Sequence, residues 1–316
     1  MEITKDPTEV GSIPVIDLEA YLAGEPEARE AAAHEVGAAL ENVGFFSIIG
    51  HGIDWQTVES IYEEARRYHA LDDASKLAHP MTAGSMGYIP VGGAKRGDRP
   101  HALNAAFFMG RPGSKRNRFP DGAVIGGFRE TVSAYYEMMA SLCAQLLPLY
   151  ALAAEMPADH FDRFFDPALA TLRMTHYPPL PTEVDQWGID PHCDAGFMTL
   201  LPTNPVAGLQ IRPEGAEWFA VRQEPQSFVV NSGDTLRRWS NDRFRSTTHR
   251  AINTTNGDRY AIPYFFDPRV DTVVECLAGC TGPGNPPLHE PIIYGDYLKQ
   301  FMGDGYPQLA LGSSTD

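Results

Sequence analysis

The feature that most restricts the fold is the texture of the chain after Asp166. Short stretches with strand-type residues follow one another there: Thr171–Tyr177, Phe197–Leu201, Leu209–Arg212, Trp218–Val221, Ser227–Asn231, Thr235–Trp239, Thr247–Asn253, Arg259–Phe266 and Thr272–Cys276. Turns rich in Gly, Pro, Asn and Asp separate most of them. Many short strands with such turns indicate a sandwich, a barrel or a jelly roll.

The first half reads differently. Ile13–Leu18 is a short apolar run with strand character, and Pro26 to Asn42 is Ala- and Glu-rich with Ala32, Val36, Ala39 and Leu40 on one helical face. Gly44 stops that helix. Phe45–Ile49 then reads as a strand and Gly50–Gly52 as a turn. Asp54 is placed to cap a second helix bearing Val58, Ile61, Tyr62, Ala65 and Tyr68. Asp73 is expected to cap a short turn through Lys76. From Ala83 to Gly127 the composition shifts to Gly, Pro, Arg and Asn, predicting a long irregular region of the kind that carries function more often than fold. Phe128 to Met156 is the strongest helix, and Pro148 is expected to kink or split it. The Gly- and Ser-rich tail from Gly303 is expected to fray.

Charge and cysteine content narrow the function. With a net charge of −16 and no basic stretch longer than Lys115–Arg118, the surface repels a phosphate backbone, which argues against a nucleic-acid partner. The four cysteines show no CxxC spacing, so reduced, mostly buried thiols are expected rather than a zinc site. The longest apolar runs, such as Leu146–Ala154, fall short of a bilayer span, and the first residues lack the pattern of a signal peptide. A soluble, cytoplasmic protein with no membrane contact is the expectation.

His-x-Asp occurs twice, as His160-Phe161-Asp162 and His192-Cys193-Asp194. On a helix, residues two apart project about 200° from each other, so the first pair cannot easily share a metal. In a strand, alternate side chains share a face, so His192 and Asp194 are expected to point the same way. One further imidazole would complete the two-His-one-carboxylate set of non-haem iron(II) oxygenases, which leaves half the coordination sphere open. His176, His249 and His289 are the candidates in the strand-rich half. Spacing gives His249 a slight preference and leaves the others open.

The residues around this pair resemble a known family, the isopenicillin N synthase-like iron(II)/2-oxoglutarate dioxygenases. His192 to Leu201 is similar to its HxDxGxxTLL segment, Gly208-Leu209-Gln210 to its GLQ strand, and Asn231-Ser232-Gly233-Asp234 to its NxGD turn. Trp239-Ser240-Asn241 followed by Ser246 to Arg250 resembles its WSN…S..HR segment, and Ile13–Asp17, Gly44–Phe46 and His51–Ile53 resemble its opening signatures. The resemblance implies a mostly β fold with flanking α-helices, built on a double-stranded β-helix (jelly-roll) core. It implies His192, Asp194 and His249 as ligands of iron(II), with 2-oxoglutarate and dioxygen as co-substrates.

Arg259 falls at the family's RxS position, which implies two parallel charge-assisted hydrogen bonds to the distal carboxylate of 2-oxoglutarate. Ala261 replaces the serine of that motif, and Tyr177 and Thr175 are candidates to supply the missing donor. Gly50, where the family often has Asn, is expected to matter little.

The implied activity is oxidation, by default hydroxylation, of an unactivated C–H bond in a small molecule, giving succinate and CO2. A same-fold iron oxidase independent of 2-oxoglutarate, kept open by Ala261, and a silent small-molecule-binding barrel are the alternatives. Substrate contacts are expected from Tyr88, Asn104, Phe107 and Met109 in the irregular region, and from Phe197 and Phe266. By residue range, the organisation expected is an N-terminal region at 1–125, a long scaffold helix and its connection at 126–170, the jelly-roll core at 171–276 and a C-terminal segment at 277–316, all in one compact unit.

Overall fold

The computed structural model describes residues 9–93, 102–179, 186–204, 206–253 and 255–305, with side chains described to residue 301. Two sheets face each other. The smaller runs in the order Val10–Gly11, Phe219–Val221, Leu209–Arg212, Thr248–Ala251, Ile189–His192. The larger runs Val15–Asp17, Phe45–Ile49, Phe228–Ser232, Met198–Pro202, Tyr264–Asp267, Leu169–Tyr177, Ala105–Met109, Tyr88–Ile89, with Arg259–Ala261 also paired to Leu169–Tyr177. Strands from the first 110 residues thus enter both sheets: Phe45–Ile49 pairs with Phe228–Ser232, and Val10–Gly11 pairs in parallel with Phe219–Val221.

Alternation along the strands separates two interiors. In Leu169–Tyr177, Ala170, Leu172 and Met174 join the main hydrophobic core, which also holds the buried faces of the helices Ala28–Asn42, Trp55–His69 and Phe128–Ala153. Thr171, Arg173, Thr175 and Tyr177 face the other way. That second interior lies between the sheets, where Tyr177 and Ala261 of the larger sheet pack with Ala251 and Ile189 of the smaller one.

The helices start and stop for local reasons. Asp54 caps Trp55–His69 by accepting from the Gln56 amide at 3.0 Å. Asp72, not Asp73, caps Asp73–Leu77, accepting from the Ser75 amide at 2.8 Å; its backbone is extended, whereas Asp73 is already helical. Gly44, at φ +71°, adopts the left-handed conformation that glycine takes most readily, and a side chain there would run into the Arg245 backbone. Phe128–Ala153 passes through Pro148 without splitting. The helix is held on both sides of the proline by buried Leu146, Leu147, Leu149 and Tyr150, and the Tyr21 hydroxyl donates to the Gln145 carbonyl at 2.7 Å.

Several expectations need correction. Asp234–Trp239 is a helix, not a strand, because Gly233 and Asp234 begin a helical turn. Arg259–Phe266 is two strands, Arg259–Ala261 and Tyr264–Asp267, interrupted at Pro263. The irregular region contains Tyr88–Ile89 and Ala105–Met109, the latter paired along Leu169–Tyr177. Tyr294–Gly305 is a helix. The fraying expected of the tail falls, from residue 306 on, outside the described residues.

Candidate metal centre

His192 ends the strand Ile189–His192 and is the cross-strand partner of His249 in Thr248–Ala251, so both imidazoles project from one face. Each ring is oriented by a backbone carbonyl. Nδ1 of His192 donates to the Asp190 carbonyl at 2.7 Å, and Nδ1 of His249 to the Thr247 carbonyl at 3.1 Å. A carbonyl cannot donate, so Nδ1 carries a proton in each ring, and in the neutral ring Nε2 is left as the metal-binding lone pair. Both Nε2 atoms lie 3.6 Å from Asp194 Oδ1. The donor atoms of the three residues fall within 4.8 Å of one another, as one ion would require.

Asp194 does not reach this point as a strand neighbour of His192. The strand ends at His192, and Asp194 lies in the turn that follows. The start of the Asp234–Trp239 helix pins that turn: the Asp234 amide donates to the Asp194 carbonyl at 2.7 Å, and the Thr235 hydroxyl to the Ala195 carbonyl at 2.6 Å. Gly233 allows the approach, since a side chain there would strike the Gly196 carbonyl. On the other side the Phe197 amide donates to Asp267 Oδ1 at 2.7 Å.

Asp194 Oδ2 accepts from the Thr199 hydroxyl at 2.7 Å and the Asn231 amide at 2.8 Å, which turns Oδ1 toward the imidazoles. Burial alone would raise the Asp194 pKa. When the His249 and His192 rings are protonated, their charge and the Asn231 amide outweigh burial and hold the carboxyl well below the usual carboxylate range.

The other candidate histidines are occupied elsewhere. His176 pairs with Asp258 at 2.6 Å and stacks on Tyr260, and His289 pairs with Asp242 at 2.8 Å. His160 packs on Phe161 and Phe164 beside a 3-10 turn, and among the described residues the one group with metal-ligand spacing is His192, Asp194 and His249. The four cysteines are free thiols, with Cys143 and Cys280 buried.

Arg259 sits opposite Tyr177 in the register, 2% exposed, with its guanidinium carbon 4.7 Å from the Tyr177 ring centroid. Its Nε has only a long hydrogen bond to the Val206 carbonyl at 3.4 Å, its Nη1 is buried without a partner, and none of the ion pairs among the described residues involves it. A side chain at Gly208 would collide with this guanidinium. Thr175 pairs across the strands with Ala261, and its hydroxyl is also buried with no partner among the described residues. Two orphaned donors on one face of adjacent cross-strand pairs suit a buried carboxylate. The contact Tyr177 makes with Arg259 is through its ring.

Of the six positions expected to touch substrate, the structure brings only Asn104 toward the space between the sheets, where it binds Arg173. Phe107 and Met109 alternate the wrong way and join the main core, Phe107 against Tyr68, Phe119 and Phe128. Tyr88 pairs with Phe107 and shares its side. Phe197 packs among Tyr150, Phe161, Phe165 and Trp239, and Phe266 stacks on Phe165. Thr199, Asn231, Gly208 and Arg173 were not anticipated as site residues. The period-two pattern Arg173-Thr175-Tyr177 carried the signal for Arg173, and Thr199 and Asn231 lie inside the quoted motifs.

The donor set fits iron(II), which two imidazoles in their neutral form and one carboxylate would bind, and the Arg259–Thr175 pair fits an extended dicarboxylate. The profile of the 2OG-Fe(II) oxygenase superfamily matches residues 168–268, and that of the non-haem dioxygenase in morphine synthesis N-terminal region matches residues 13–123. The chain is 32% identical to the 2-oxoglutarate-Fe(II) type oxidoreductase hxnY of Emericella nidulans over 93% of this chain and 90% of that protein. It is 31% identical to the 2-oxoglutarate-dependent dioxygenase citB of Monascus ruber over 82% of this chain and 85% of that one. Among solved structures it resembles a full-length Neurospora crassa protein in complex with alpha-KG, with a TM-score of 0.85, 25% identity, and coverage of 92% of this chain and 96% of that one. A second complex of the same Neurospora crassa protein holds thymine as well. The core between the sheets is thus a double-stranded β-helix, and the chain belongs to the 2OG-Fe(II) oxygenase superfamily, whose members depend on iron(II) and 2-oxoglutarate.

Proposed function

We propose that His192, Asp194 and His249 hold the iron, that Arg259 and Thr175 hold the distal carboxylate of 2-oxoglutarate with Tyr177 as the face beneath the guanidinium, and that the enzyme hydroxylates a C–H bond of a small molecule. The observation that carries this reading is the convergence of three oriented donor atoms in a barrel whose interior also holds an unpaired guanidinium. The bound iron, with 2-oxoglutarate and dioxygen, supplies the oxidising power for C–H cleavage, with succinate and CO2 as co-products.

The chain's own contribution is orientation and exclusion of water. Thr199 and Asn231 fix Asp194 so that its other oxygen would face the ion, and the Asp190 and Thr247 carbonyls orient the imidazoles through Nδ1. Ile189, Leu201, Ala251 and Ala261 wall the space beside Tyr177 and keep it dry, which strengthens the pairing of Arg259 with a carboxylate. Thr175, opposite Ala261, places a hydroxyl beside the position where the family's serine is missing. That favours 2-oxoglutarate use over the co-substrate-independent oxidase that Ala261 alone suggests. Among the described residues no helix is long and apolar enough to cross a membrane. The strongly negative surface favours a small-molecule substrate over nucleic acid.

His249→Ala tests the assignment. The variant is expected to stay folded and to lose stoichiometric iron(II), measured by metal analysis after gel filtration. Iron retained at one per chain would remove His249 from the ligand set.

A further inference from the structure

A second buried guanidinium stands in the barrel, outside the three candidate metal ligands and the Arg259–Thr175 pair. Arg173 shares the inter-sheet face of Leu169–Tyr177 with Thr175 and Tyr177 and is 7% exposed. Its Nη2 donates to Asn104 Oδ1 at 2.8 Å, and the Asn104 amide nitrogen donates to the Gly188 carbonyl at 2.6 Å, one residue before the strand that ends at His192. Asn104 is therefore held at both ends and fixes Arg173 relative to the metal-bearing strand.

The register adds a constraint. Ala106 lies opposite Thr175 and Phe108 opposite Arg173. To reach Asn104 the arginine must run along the sheet past Ala106, whose methyl leaves the room. The Phe108 ring lies on its other side, 5.2 Å from the guanidinium carbon.

The Nε of Arg173 is buried with no hydrogen-bond partner among the described residues. None of the ion pairs among the described residues involves Arg173. A buried guanidinium with a free donor and no ion pair is left able to take up an anion. Arg259 meets that description for the co-substrate. Arg173 meets it again on the same face, two residues beyond Thr175, or about 7 Å along the strand.

We propose that Arg173, positioned by Asn104, anchors a carboxylate of the substrate, so that the enzyme acts on small carboxylic acids with an apolar body that packs near Phe108. Nε and a neighbouring Nη donate two parallel hydrogen bonds to the carboxylate, which sets the distance between the anchored end and the carbon presented to the metal. This rests on the oxygenase reading above.

The test uses the full chain loaded with manganese(II), as a redox-silent substitute for iron, and saturating 2-oxoglutarate. A panel of alkyl and aryl monocarboxylates, benzoate and octanoate among them, is screened by thermal shift and ligand-observed NMR against the matched methyl esters. The expected result is that at least one acid binds while its ester does not, and that Arg173→Gln weakens that acid tenfold or more while 2-oxoglutarate affinity stays within twofold. Where no acid in the panel binds, the melting temperature of the substrate-free protein decides: Arg173→Gln is expected to leave it unchanged or raise it.

Esters that bind as well as acids overturn the proposal. So does an Arg173→Gln variant that loses 2-oxoglutarate affinity, which would assign the residue to the co-substrate, or one that melts several degrees lower with no acid bound, which would make it a structural clamp. A wild-type protein that fails to bind 2-oxoglutarate would instead remove the oxygenase reading.

Discussion

Asp194 offers one oxygen to the two imidazoles and keeps the other on Thr199 and Asn231. Removing either donor leaves the proposed ligands in place but frees the carboxylate to rotate. Asn231→Ala and Thr199→Val are each expected to lower iron(II) affinity by about 10–100-fold, the usual effect of losing an outer partner of a metal ligand. Competition against a metal-binding dye checks this, with circular dichroism to show that the fold is kept. Thr175 presents a similar question for the co-substrate. Thr175→Val keeps shape and removes a hydroxyl that faces the same space as Arg259. Loss of a hydrogen bond to a charged group is worth about 1.5–3 kcal/mol, so 2-oxoglutarate should bind about 10–150-fold more weakly. Adding Ala261→Ser in the same chain should recover most of the loss, because positions 175 and 261 are cross-strand partners. A double variant no better than Thr175→Val would show that the two positions do not serve the same carboxylate.

At the scale of strands and turns, a glycine decides whether Arg259 has room. Gly208 precedes the strand Leu209–Arg212, and a methyl there would meet the Arg259 guanidinium and the Ile252 carbonyl. Gly208→Ala should therefore weaken 2-oxoglutarate binding at least tenfold while iron affinity changes little, since none of the proposed ligands lies on that strand; parallel titrations of metal and co-substrate would separate the two. The same scale shows what the letters of the sequence could convey. Most strands after Asp166 were legible because alternation and turn residues mark them locally. Thr235–Trp239 has strand-like residues and forms a helix because Gly233 and Asp234 set its first turn. Ala105–Met109 lies in a stretch whose composition suggests a loop, and it becomes a strand by pairing with Leu169–Tyr177, a contact that no local pattern encodes. That unseen strand is also why Phe107 and Met109 were expected near substrate: without its parity, nothing in the sequence says that Asn104, Ala106 and Phe108 share the inner face.

Across the whole molecule, the helical layer and the barrel are tied together at a point that acid should break. His69 ends the helix Trp55–His69, and its Nε2 donates to the Met174 carbonyl at 3.0 Å on the outer face of Leu169–Tyr177. Burial pushes its pKa down to about 3, with nearby His176 and Lys76 acting in the same direction, while the Met174 carbonyl and Asp258 pull the other way. The unfolded chain binds this proton near pH 6.5 and the folded chain only near 3, so between those values the unfolded state carries more protons and stability falls as the pH is lowered. The contribution is whole above 6.5, and about 2 kcal/mol of it is gone at pH 5. His69→Gln keeps a donor for the Met174 carbonyl and has no proton to take up. Its urea-unfolding free energy should fall less steeply from pH 7 to 5 than that of the natural chain, by about 2 kcal/mol over the interval. Equal slopes for the two proteins would mean that His69 is protonated in the fold and that the link between helix and barrel tolerates a charge.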